Sequence, residues 1–100
     1  MIRHVVMWRF KTEAEGRTKL ENMEELKARL MALPPIIPQI KKMEVNFDST
    51  HTEASADFLL LTEFDSTEDL RTYAVHPDHL KVADFVRNVV ETRTVFDCEI

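Results

Sequence analysis

The stretch "IRHVVMWRF", Ile2 to Phe10, alternates with the two-residue period of an extended strand. Ile2, His4, Val6, Trp8 and Phe10 share one face, and Arg3, Val5, Met7 and Arg9 share the other. Large apolar groups stand on both faces. A strand facing water on one side would be polar there, so this one belongs inside a sheet that is covered on both faces.

From Glu13 to Leu33, Leu20, Met23, Leu26, Leu30 and Leu33 recur at three- and four-residue spacing, which predicts an amphipathic helix. "PPIIP", Pro34 to Pro38, stops it, because proline neither continues a helix nor easily leaves its predecessor helical. Lys42 to Asp48 is a half-wet strand, with Met43, Val45 and Phe47 inward. "DSTHTEASA" is a polar connecting loop, and "FLLLTEF", Phe58 to Phe64, is a third strand with apolar residues on both faces. Ser66 or Thr67 then caps a helix whose first turn carries Glu68 and Asp69. Pro77 breaks that helix, and a second stretch runs from Pro77 to about Glu91. Arg93 to Ile100 alternates once more.

The order β-α-β-β-α-β, with its second helix broken, predicts an α+β ferredoxin-like domain spanning residues 1–100, with an antiparallel sheet and helices on one face. In that topology the first and third strands are central, and these are the two that are apolar front and back. Helices cover one face only. Leaving five large side chains in water on the other would forgo about 1.5–3 kcal/mol each. A second copy of the same sheet is the simplest cover, which predicts a homodimer through the sheet faces, a dimeric α+β barrel.

The bulk composition narrows the function. A hydrophobic share of 44% with one glycine is that of a globular chain. Thirteen basic and eighteen acidic residues give a net charge of −5 with no basic stripe, which argues against nucleic acid and against a membrane surface. The lone Cys98 has no partner for an intramolecular disulfide. No signal peptide is recognisable in "MIRHVVMWRFK", so a cytoplasmic protein is expected.

The chemistry-bearing residues cluster in "YAVHPDHLKV", Tyr73 to Val82. Pro77 suits the first turn of the restarting helix, which makes His76 the N-cap and puts His79 in that turn. The positive helix end there disfavours imidazolium and leaves a neutral, basic ring. It also disfavours a metal on His76 and His79. Against a catalytic reading stands a structural one, in which His79 bonds backbone, His76 is only a cap and His4 is a satisfied core histidine. Trp8 and the methionines fit packing.

"MIRHVVMWRFK", "IPQIKKMEV", "YAVHPDHLKVADFV" and "FDCEI" together resemble the stress-responsive A/B barrel (Dabb) family over essentially the whole chain. The resemblance implies a ferredoxin-like protomer, a dimeric α+β barrel and no cofactor. It leaves activity open, since the family includes stress proteins, proteins of undefined role and a plant polyketide cyclase. That cyclase's general base matches His79, its pocket tyrosine matches Tyr73, and a strand histidine matches His4. Trp8, Phe58, Leu30 and His76 would then line a pocket for a small apolar or polyketide-like ligand. Phe58 stands where the cyclase has a histidine, and Leu26, Lys27 and Leu30 stand where it has aromatic residues. The resemblance also implies a hard cation on the backbone carbonyls of Pro34, Ile37 and Ile40. Three readings stay open: a carrier of a small ligand, a cofactor-independent cyclase, lyase or isomerase using His79, and a cofactor-free monooxygenase.

Overall fold

In the computed structural model, which describes all 100 residues, Ile2–Phe10 is β1, an inner strand of a four-stranded antiparallel sheet. It pairs on one side with β5 (Phe58–Phe64) and on the other with β6 (Val90–Glu99), while β4 (Lys42–Phe47) lies beyond β5. The order β4-β5-β1-β6 makes the two doubly apolar strands central. The register sets His4 between Thr62 and Asp97, and Trp8 between Phe58 and Arg93.

One sheet face is the core. Val6, Trp8, Phe10, Phe58, Leu60 and Phe64 are buried on it, beneath α1 (Lys19–Met31), α2 (Thr67–Ala74) and α3 (Pro77–Val89). The helices contribute Met23, Leu26 and Leu30, then Tyr73, then Val82, Phe85, Val86 and Val89. Trp8 meets Phe58 edge-on, with ring centroids 5.5 Å apart, a favoured aromatic geometry. On the opposite face Val5, Met7, Leu59 and Leu61 are only half-buried, and Phe96 is 61% exposed. Arg3 and Glu63 form an ion pair at 2.8 Å at one end of this outer face.

Three details differ from the sequence reading. The helix expected from Glu13 begins at Lys19, because residues 13–18 form a hairpin of β2 (Glu13–Ala14) and β3 (Arg17–Thr18). Its two-residue turn places Glu15 at φ 53° and Gly16 at φ 71°, the pair of positive values that a primed hairpin turn requires. Thr18 then caps α1: its hydroxyl accepts the Glu21 N–H, and the Glu21 carboxylate accepts the Thr18 N–H. Leu20 falls off the apolar stripe and is 59% exposed, since it sits about a quarter turn from the direction shared by Met23, Leu26 and Leu30. Finally, α3 ends at Val89 and β6 starts directly at Val90, three residues before the expected strand.

The prolines after α1 do more than stop it. Leu33, Ile37 and Ile40 fold back into the core, with Ile37 fully buried.

Candidate functional site

Between the core face of the sheet and helices α2 and α3 lies a cavity of about 650 Å³. That volume lies within the usual range for small-molecule sites. Its floor is formed by His4, Val6 and Trp8 of β1 with Leu60 of β5, and α1 adds Leu30. The helical wall carries Tyr73, Ala74, His79 and Val82. Arg93, Val95 and Asp97 of β6 close the side. Eleven of its sixteen lining residues are hydrophobic, so the polar groups it holds are few enough to fix an orientation.

His79 is placed by the break between α2 and α3. The chain leaves α2 at Val75 and passes through His76, whose extended backbone (φ −63°, ψ 135°) caps α3 ahead of Pro77. The His76 Nδ1 accepts the Asp78 N–H at 3.1 Å. The Ala74 carbonyl, which an unbroken helix would give to that N–H, is free for the His79 ring, whose Nδ1–H donates to it at 3.0 Å. Nδ1 therefore carries the proton, and Nε2 is the basic nitrogen. Burial holds the His79 pKa below the ordinary 6.5; the Ala74 bond opposes the shift, and the nearby charges of His4, Arg93 and His76 add to it. The outcome is a neutral imidazole with a free lone pair at neutral pH.

Tyr73 packs on this ring, with centroids 4.3 Å apart. Its hydroxyl is buried without a hydrogen-bond partner, and burial pushes its pKa far above 10.0, so it stays protonated as a donor. The Trp8 indole N–H is likewise buried and unpartnered. Both groups are donors without protein partners in the lining of one cavity, so each can donate to an oxygen placed there.

His4 faces Asp97 directly across the β1–β6 ladder, and its Nδ1 lies 2.5 Å from an Asp97 carboxylate oxygen. A carboxylate on one ring nitrogen leaves Nε2 as the acceptor and orients the ring. The cavity thus holds two imidazoles in defined orientations and one neutral phenol.

Of the residues singled out in the sequence, His4, Trp8, Leu30, Tyr73 and His79 all line this cavity. Phe58 and His76 do not. Phe58 lies beneath Trp8, also touching Phe10 and Phe47, while His76 is engaged as the cap of α3. After α1, the Ile37 carbonyl accepts the Ile40 N–H at 3.1 Å, and the Leu33 carbonyl accepts those of Ile36 and Ile37, each at 2.9 Å. The turn that carries Pro34, Ile37 and Ile40 thereby uses part of its own carbonyl capacity. No cluster of three or more His, Cys, Asp or Glu side chains suited to a metal ion is present. Sequence reasoning missed Asp97, Ala74 and Arg93. Asp97 shares the inward side of its strand with Arg93, Val95 and Glu99, and only the register reveals that it faces His4.

An antiparallel four-stranded sheet, helices on one face and a histidine-bearing cavity between them define a ferredoxin-like α+β protein. The Stress responsive A/B Barrel Domain (Dabb) model matches residues 2–100, and the chain belongs to that family. It is 28% identical over 98 residues to olivetolic acid cyclase of Cannabis sativa, covering 96% of this chain and 93% of that protein. Among solved structures, a dimeric ferredoxin-like protein of unknown function from Bacteroides fragilis superposes with a TM-score of 0.88 at 29% identity, over 99% of this chain and 95% of that one. Hydroxynitrile lyase from Passiflora edulis shares the fold, with a TM-score of 0.84 at 20% identity over 99% and 92% of the two chains.

Proposed function

We propose that this Dabb protein binds a small, mostly apolar carbonyl compound in the cavity between helices and sheet and abstracts a proton next to its carbonyl without a cofactor. The supporting observation is His79. It is half-buried in an apolar wall with Nδ1–H bound to the Ala74 carbonyl and its pKa held below 6.5, the state a general base requires near neutrality. In this reading Nε2 of His79 takes the proton, and the Tyr73 hydroxyl donates to the oxygen on which charge builds. The His79 imidazolium formed in that step then returns its proton to the product, while His4, oriented by Asp97, accepts a hydrogen bond from the ligand through Nε2. The match to a cyclase across nearly the whole chain supports this reaction class.

Two further features belong to the proposal. The half-buried outer face is covered by a second copy; the Bacteroides fragilis protein of the same fold is dimeric. No helix is long and apolar enough to cross a membrane, and a reducing cytoplasm suits the free Cys98.

Proton abstraction is testable before a substrate is named. In heavy water, NMR should show the protein exchanging the α-hydrogens of a medium-chain methyl ketone, with His79→Gln slowing exchange about a hundredfold or more while ketone binding persists. Binding with no exchange in the unaltered protein would overturn the catalytic reading and leave that of a carrier, the role that the unpartnered Trp8 and Tyr73 groups also suit.

A further inference from the structure

The charges around the cavity are not evenly used. Arg87 is paired with Asp84 on its own helix, and Asp97 is taken by His4. Arg93, which lines the same cavity, has no carboxylate partner. Its position is fixed by the sheet. Arg93 is the β6 residue opposite Trp8, whose indole N–H is unpartnered, so its side chain leaves the sheet on the helix-covered face. Exposed to solvent, it stands at the side of the cavity rather than in its depth. An unpaired guanidinium at the edge of an apolar cavity whose buried polar groups include two orphans is a fork for an anion.

We propose that Arg93 selects ligands with an anionic group, carboxylate in size, at the end opposite the apolar body. The ligand's oxygen near Trp8 and Tyr73 and its anion on Arg93 would then set it lengthwise in the cavity, with the reacting carbon beside His79. This deepens the reading of the cavity as a ligand site and rests on it. Arg93 acts here on binding and orientation, and its charge also reaches His79, where it opposes protonation.

Two fluorescent dyes of nearly equal shape, anilinonaphthalenesulfonate and its uncharged parent phenylnaphthylamine, read the two questions separately. The unaltered protein should bind the sulfonate more tightly, and decanoate should displace it better than decanol. R93Q should weaken sulfonate binding about tenfold, leave the neutral dye within about twofold, and remove the preference for decanoate. R93K should keep part of the preference, and R87Q should keep it all, since Arg87 is already paired. The preference should also shrink as salt is raised. If R93Q leaves the preference intact, or R87Q removes it, the inference about Arg93 is overturned while the cavity reading stands. Ala83 of α3 also lines the cavity, and if Ala83→Phe, which fills space there, leaves both dyes bound as before, the cavity reading itself fails.

Discussion

Tyr73 and His79 lie on different helices, and their rings are in contact, with centroids 4.3 Å apart and planes inclined by 46°. The contact spans the turn between α2 and α3, so the tyrosine that ends one helix packs against the imidazole that begins the next. Burial pushes the two groups in opposite directions, raising the phenol and lowering the imidazole, so both are neutral at pH 7.

The titration of His79 follows from that pairing. Its ring resonances in NMR should move with a midpoint below 6.5. A base depressed by folding binds fewer protons in the native than in the unfolded state, so its contribution to stability is complete above the unfolded value near 6.5. That contribution is lost as pH falls through the folded value. A midpoint at or above 6.5 would contradict the burial of the ring.

Tyr73 is the only tyrosine, so near-ultraviolet absorbance reports its ionisation alone. With its pKa raised, native protein should show no tyrosinate at pH 10, and ionisation should coincide with alkaline unfolding. The stability this group contributes is present below the unfolded value of about 10 and disappears as pH rises toward the folded one.

Tyr73→Phe separates stability from function. The hydroxyl lacks a partner, so removing it should leave the fold unharmed or stabilise it by about 1 kcal/mol in thermal unfolding. Ketone exchange should fall in the same variant. A large loss of stability would mean that the hydroxyl has a bound water or another partner.

The outer sheet face supplies a prediction about assembly. Phe96 is 61% exposed and lies across from Val5, which in turn faces Leu61. Phe96→Asp should convert a dimer into an 11.7 kDa species in sedimentation, with the helical signal retained. Sedimentation of the unaltered protein at 11.7 kDa would remove the second copy from the account.

Thr18→Ala should cost about 1 kcal/mol in denaturant unfolding, because it removes the reciprocal cap that starts α1. Were α1 to extend back to Glu13 in solution, the same change would be nearly silent.

How far the sequence reveals this molecule depends on the range of each interaction. The strands were legible because side-chain alternation is local, and the two-faced Val5–Val6 and Leu59–Leu60 patterns placed β1 and β5 at the centre. His76 as cap and Pro77 as the break were legible for the same reason. The hairpin at Glu15–Gly16 was missed because one glycine beside a glutamate is a weak turn signal, and the apolar spacing of α1 overran it. Asp97 opposite His4 is ninety-three residues away in the chain, and strand pairing alone brings them together. The Ala74 carbonyl was invisible in principle, since a backbone oxygen carries no mark in a sequence.

That carbonyl gives the interruption at Pro77 its meaning. In an uninterrupted helix Ala74 would accept the Asp78 amide instead, and neither the rotamer nor the tautomer of His79 would be fixed by it. The orientation and tautomer of His79 are therefore defined by a missing backbone hydrogen bond as much as by the imidazole itself. Descendants of this chain could lose the fixed imidazole by mending that gap, or regain it by reopening it, with every side chain of the cavity left in place.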